Sequence, residues 1–499
     1  MTILDTIAGA QAVDSHRPWP RAVVDEAGWQ NGIDRLVSGE WTLSGLWGDA
    51  GTVHMAVMGE GGDIAVLTYR CRDGRFPSVG ARHPPAMRLE RAISSLFGYE
   101  PVGAPDTRPW LDLGFWDIAH PLGTHGPPQR DRYAFLPVEG DALHQVPVGP
   151  VHAGIIEPGH FRFTANGEFV VRVEERLGYV HKGIESLMAG ATIDRAARLA
   201  GRTSGDSTVA YASAFARAVE AATQTTPPVR AIHLRALTAE LERLANHFGD
   251  IGAICNDASF AMMHAQTGIL RERTLRAAEA CFGHRLMMDV VVPGGVSHDL
   301  NADGETGLRA LVAELRTRFP RLVELYDNTA SLQDRTVTTG IVKPDYARQF
   351  GAGGYVGRAA GRDFDARRTP GYAPYDALSF DVPVLEAGDV NARVWIRIRE
   401  VEQSLSLIEQ ILDRLPKGDL LTNVTVGGAC EGMAYAEAFR GDVLVWLRLD
   451  EQGQVARCHL RDASWFQWPL LEAAIENNII ADFPLCNKSF NCSYSGHDL

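Results

Sequence analysis

Three groups of residues have types and spacings that suggest chemistry. In Gly178-Tyr-Val-His181-Lys-Gly183-Ile-Glu185, an imidazole, an amine and a carboxylate lie within five residues. Such groups relay protons when partly buried, and form an ion pair of little energetic consequence when they sit on a solvated face. Both readings stay open at this level for His181, Lys182 and Glu185. Seven cysteines (Cys71, Cys255, Cys281, Cys430, Cys458, Cys486, Cys492) are scattered with no CxxC pair. That fits reduced thiols and speaks against a zinc or iron–sulfur centre made by this chain alone. Gly351-Ala-Gly353-Gly354 with Gly357 has the look of a phosphate-cradling loop. It lacks the preceding buried strand and the acid about 20 residues on that a dinucleotide fold requires, so it reads as a flexible loop.

The elements that must position these residues fall into two regions. Residues 1–135 predict a small α+β domain. Thr52–Met58 and Ile64–Tyr69 are short apolar runs joined by Gly59-Glu-Gly-Gly-Asp63, and Met87–Leu96 has helical spacing that stops at Phe97-Gly98. The Pro- and Gly-rich stretch His120–Arg132 reads as a linker. Residues 146–499 predict a larger, mainly helical domain with peripheral β-hairpins. The first hairpin turns at Asn166-Gly167, and the last joins Asp442–Leu449 to Val455–Leu460. Leu234, Leu237, Leu241, Leu244, Phe248 and Ile251 form one apolar stripe at steps of three and four; Val394, Ile398, Val401, Leu405, Ile408, Leu412 and Leu415 form another. Both stripes read as core packing. Glu174, Glu175 and Arg176 read as a solvated face or a partner contact.

A length of 499 residues implies two or three domains, and 45% hydrophobic with 22% charged residues is globular composition. A net charge of −14 without a basic run excludes nucleic acid as the expected partner. No apolar run approaches the ~18 residues of a membrane span, and the N-terminus lacks the basic start and long apolar run of a secretory signal.

The Gly178–Glu185 segment resembles the "G-x-x-H-R-G-x-E" stretch of the large subunits of nickel–iron hydrogenases and of their relative, the quinone-reacting D-type subunit of respiratory complex I. Further matches run in order to the C-terminus: Arg235–Arg243, Gly283-His-Arg285, Pro293–Val296, Gly357–Gly361 with Asp365 and Arg367, Glu437–Gly441, and Ala481–Pro484. Leu96–Pro101 and Arg108–Asp112 are similar to the C-type subunit of complex I, so the whole resembles the fused C-type/D-type large subunit of group-4 hydrogenases.

The resemblance places Arg202-Thr-Ser204-Gly205-Asp-Ser207 where those hydrogenases carry the first pair of metal-binding thiols, and Cys492 and Ser495 where they carry the second. Serine hydroxyls are hard, weakly acidic ligands and do not replace bridging thiolates, and Cys486 does not restore the spacing, so no metal is expected. Arg202 and Asp206 are expected to bracket this vacated pocket and pair across it.

In the D-type branch a histidine and a tyrosine hold a quinone. His152 of Pro150-Val-His152-Ala-Gly154 matches the histidine, its alternative role being a turn cap beside Gly149-Pro150. The tyrosine position falls near Gly205, with Tyr211 out of register. Arg358, Asp365 and Arg367 are expected as structural ion pairs, and Asp482 near a C-terminal strand that returns to the cleft.

By resemblance, the chain is a complex I-like subunit at the cytoplasmic face of the inner membrane, with no cofactor bound by this chain alone, a quinone as the candidate acceptor and NADH chemistry left to another subunit. Its implied partners are a small iron–sulfur subunit carrying a 4Fe-4S cluster and antiporter-like and anchor membrane subunits. The alternative is a scaffold or coupling subunit that has kept the fold without redox chemistry.

Overall fold

The computed structural model describes residues 3–128, 133–152 and 156–499. The end of the predicted linker, 129–132, and residues 153–155 after His152 lie outside the described residues.

The chain is an α+β protein. Its first sheet has five strands in the order Gln11–Val13, Arg21–Val24, Ile64–Arg70, Thr52–Gly59, Trp41–Asp49, antiparallel except where Arg21–Val24 runs parallel to Ile64–Arg70. The expected hairpin turns through Gly62 at φ +81°, a conformation that glycine adopts without a Cβ clash. Helix Glu26–Ser38 starts where Asp25 accepts from the Gly28 amide at 2.9 Å. Helix Met87–Phe97 stops, as the sequence predicts, on left-handed Gly98.

Long helices dominate the rest: Thr208–Thr223, Val229–Asp257, Ala261–Phe282, Ala302–Asn328 and Val390–Arg414. Every residue of the Leu234–Ile251 stripe is buried, as are Val394 through Leu412, and both stripes share one apolar cluster. The leucine and isoleucine spacing thus fixes which face of each helix turns inward.

A second five-stranded sheet runs Ala191–Thr192, Gln454–Arg461, Gly441–Leu449, Cys430–Ala438, His16–Arg17. Helix Thr208–Thr223 crosses it so closely that a Cβ on Gly432 would lie 1.9 Å from the Ala218 carbonyl oxygen. Its outer strand comes from the N-terminal region. Arg21 is forked onto Glu431 at 2.9 and 2.7 Å, and the Trp47 ring stacks on His459 at 4.9 Å, so the two regions are joined through buried contacts.

Three local expectations are corrected. Glu174, Glu175 and Arg176 are buried rather than solvated, because their partners come from the N-terminal region. Arg88 donates to Glu175 at 3.0 Å, Arg108 pairs with Glu174, and Arg176 donates to the Trp110 carbonyl. The Gly351–Gly354 loop is packed, not flexible: a Cβ on Gly354 would sit 1.9 Å from the Arg440 carbonyl oxygen. Asp482 leads into helices Phe483–Phe490 and Tyr494–Asp498, not into a strand.

Candidate functional site

Ser204 ends the loop before a single turn, Gly205–Ser207, that feeds helix Thr208–Thr223. That helix begins without a cap of its own. Glu242, from the helix alongside, accepts from the Val209 and Ala210 amides at 2.7 and 3.2 Å. These bonds satisfy two of the donors that a helix start leaves open. The Glu242 carboxyl is pushed up to about 8, by burial first and by the neighbouring Asp206 charge.

The C-terminal segment is held from the other side. Gln467 donates to the carbonyls of Gly353 and Arg440 at 3.1 and 2.7 Å and lies 3.9 Å from the Cys492 sulfur. Ser464 accepts from the Ser493 amide at 2.8 Å. The two segments therefore meet: Ser204 Oγ is 3.1 Å from Ser493 Oγ and donates to Asp206 at 2.7 Å. Arg440 binds both Asp206 oxygens, at 2.9 and 2.6 Å, and donates to the Asn491 carbonyl. Burial alone would lift the Asp206 carboxyl, but Arg440 outweighs it and holds the pKa below the usual carboxylate range.

Together these residues wall an open cleft of about 590 Å³. Ser204, Cys492 and Ser495 line it; Ser207 lies buried behind Asp206, with its hydroxyl 3.3 Å from Arg440. Arg440, Asn246, Asp250, Arg271 and Lys488 also line the cleft, and no role is assigned to them from sequence. Only Arg440 carries a sequence signal, as part of Glu437-Ala-Phe-Arg440-Gly441; the others sit on helix faces without a local pattern.

Residues 257–428 match the family model described as the 49 Kd subunit of respiratory-chain NADH dehydrogenase. Formate hydrogenlyase subunit 5 of Escherichia coli is 32% identical over 436 residues, covering 85% of this chain and 77% of that relative. Hydrogenase-4 component G of the same organism is 30% identical over 475 residues, covering 92% and 82%. The D-type subunit of the NADH-quinone oxidoreductase of Desulfotalea psychrophila is 30% identical over 348 residues, covering 68% and 93%. The chain belongs to the family of complex I 49-kDa (D-type) subunits and hydrogenase large subunits. It is thus a member of an oxidoreductase subunit family, and among its described residues no helix is long and apolar enough to cross a membrane.

Within that family frame, the remaining sequence-predicted residues fall as follows. Arg202 does not pair with Asp206; it reaches outward to Asp289 in an exposed ion pair, while Arg440 takes Asp206. His152 Nε2 lies 2.8 Å from the Gly159 carbonyl and is not among the residues lining the cleft. His181 Nδ1 lies 2.6 Å from the Asp498 carbonyl, and its ring stacks on Trp116 at 4.6 Å. Glu185 is buried and pairs across to the second sheet, with Arg457 and His459 each at 2.8 Å. Helix Ile184–Met188 begins after His181, so His181 and Glu185 do not share a helix face.

As a donor set for a soft metal pair, the cleft offers the hydroxyls of Ser204, Ser493 and Ser495 and the Cys492 thiol, with Ser207 buried behind Asp206. Burial pushes the Cys492 thiol well above its ordinary value, which disfavours the thiolate a metal needs. These residues do not fit a nickel–iron centre. Arg358, Asp365 and Arg367 form the structural ion pairs expected of them: Arg358 pairs with Glu400, Asp365 and Glu437, and Arg367 with Glu240 and Asp365, all buried.

Proposed function

We propose that the chain is the hydrophilic large subunit of a membrane-associated, complex I-like oxidoreductase. It receives electrons from a small neighbouring subunit carrying a 4Fe-4S cluster and passes them to a quinone or another organic acceptor in the Ser204–Cys492 cleft. Antiporter-like and anchor membrane subunits at the cytoplasmic face of the inner membrane would couple that transfer to ion movement. The observation that carries this reading is the convergence of two segments, 204–207 and 491–495, on one open cleft with a fixed guanidinium in its wall. A reduced quinone oxygen gains negative charge, and the Arg440 guanidinium in the cleft wall is a donor suited to it. The proposal includes no nickel–iron site, given the serine hydroxyls and the protonated Cys492 thiol.

A second reading, that of a redox-inactive coupling protein, draws support from His152 being engaged with the Gly159 carbonyl and from Gly205 supplying no hydroxyl. One experiment separates the two. Gly205 lines the cleft and a Cβ there would meet nothing within 4 Å, so Gly205→Phe adds a large side chain at the cleft wall from an unobstructed position. In the purified complex, reoxidation of the dithionite-reduced iron–sulfur centre by a short-chain quinone is expected to slow by about tenfold or more in this variant. Equal rates in both proteins remove the acceptor from the cleft. No reoxidation of the wild-type complex by quinone or by artificial acceptors establishes the coupling role. Stoichiometric nickel in the purified complex overturns the metal-free assignment.

A further inference from the structure

Away from the cleft, along one face of helix Thr208–Thr223, lies a second pocket of about 320 Å³, near the lower end of small-ligand sites. Ala210, Ser213, Arg217 and Glu220 line it at steps of three, four and three, so one helix face forms its floor. Pro227, Ile232, Ala236 and Ala239 from the next helix and its entry, and the Gly371–Tyr375 loop, give it mostly apolar walls.

The charges around this pocket are unevenly matched. Glu220 is forked onto Arg235 at 3.0 and 2.5 Å and accepts from the Gly294 amide at 2.8 Å. Glu437 accepts from Arg358 at 3.0 Å and from the Ala366 amide at 2.9 Å. Both carboxylates are thus committed elsewhere. Arg217 donates to the Tyr435 carbonyl and lies 3.9 Å over the Tyr372 ring, and among the described residues no carboxylate pairs with it. Burial lowers the pKa of Arg217, and the nearby Glu220 charge offsets this only in part. One turn earlier, the Ser213 hydroxyl is buried with no hydrogen-bond partner among the described residues, although Ser213 is only 9% exposed. A half-buried cation with no paired carboxylate, beside a buried hydroxyl with no partner, is costly unless something fills the gap.

We propose that this pocket binds a small apolar carboxylic acid, aromatic or short-chain. Its carboxylate meets Arg217 and the Ser213 hydroxyl, and its body lies against Tyr372, Pro227 and the alanines. Guanidinium prefers carboxylate to a neutral amide because the charged pair makes two parallel bonds. The site is separate from the cleft and does not depend on which acceptor the cleft takes.

Benzoate and its neutral isostere benzamide, titrated against the full-length chain by ligand-observed NMR, test this. Benzoate is expected to bind saturably and at least about tenfold more tightly than benzamide, and Arg217→Gln to reduce it to the benzamide level. Ala239→Phe, which fills the pocket from a half-buried position, is expected to abolish binding of both. Because the wild-type benzoate–benzamide comparison needs no variant, the test stands even if Arg217→Gln fails to fold. No saturable benzoate binding, equal affinity for the two ligands, or benzoate affinity untouched by Ala239→Phe overturns the proposal.

Discussion

Arg440 grips both oxygens of Asp206, Nη1 to Oδ1 at 2.9 Å and Nη2 to Oδ2 at 2.6 Å, across 234 residues of chain. The guanidinium is 5% exposed while the Asp206 side chain is 36% exposed on the cleft side, so removing its partner leaves a cation with little access to water. Asp206→Asn is therefore expected to destabilise the protein by ~2 kcal/mol, between the cost of breaking a buried and an exposed pair, read as a fall in urea midpoint. The Arg202–Asp289 pair lies in the open, with both side chains about 40% exposed. Asp289→Asn is expected to cost less than ~1 kcal/mol. Equal losses in the two variants contradict the assignment of Arg440, rather than Arg202, as the partner buried at the cleft.

A second prediction concerns acid. His83 is 2% exposed, and burial holds its pKa down at about 4, against an ordinary 6.5. The unfolded chain takes up this proton before the folded one does. The stability that the neutral ring contributes is therefore complete above about 6.5 and is lost as pH falls toward 4. One such proton corresponds to ~1.4 kcal/mol per pH unit. His16 and His54 are likewise pushed down to about 4 by burial. Between pH ~6 and ~4.5, His83→Gln should lose stability less steeply than wild type by ~1.4 kcal/mol per unit, measured as urea midpoints at successive pH values. Parallel curves for the two proteins exclude His83 as one of the acid-sensitive groups.

What the sequence discloses and what it hides divide along the range of the interaction. The stripes Leu234–Ile251 and Val394–Leu412 are legible because a helix repeats every 3.6 residues, and their burial follows from that period alone. The hairpin turn at Asn166-Gly167 is legible because left-handed backbone has few candidate residues, and Gly167 indeed sits at φ +59°. The meeting of Ser204 with Ser493, 289 residues away, follows from no local pattern; only the resemblance to hydrogenase motifs puts the two segments side by side. Charges mislead most. Glu174-Glu175-Arg176 reads as a solvated face or a partner contact, because their partners Arg108, Arg88 and the Trp110 carbonyl lie more than 60 residues upstream. Arg202 and Asp206 are near neighbours in sequence, but Asp289 and Arg440 offer each a better-placed partner.

Glu185 gives the last prediction, and it separates two roles. Burial would raise its carboxyl, but Arg457 and His459 outweigh it and hold the pKa at about 2, against an ordinary 4.5. The ionised side chain thus stabilises the fold fully above about 4.5, and that contribution is lost as pH falls toward 2. The difference corresponds to ~3 kcal/mol for a group 4% exposed. Glu185→Gln should therefore be less stable than wild type by about that amount at neutral pH, since it leaves Arg457 buried and unpaired. The gap should narrow only below about pH 4.5, when measured by urea unfolding of both proteins. A proton relay working near neutrality needs a carboxyl that titrates there. If the gap instead closes between pH ~8 and ~6, Glu185 exchanges protons under working conditions, and its pairing with Arg457 is a step on a proton path rather than a fixed brace between helix Ile184–Met188 and the second sheet.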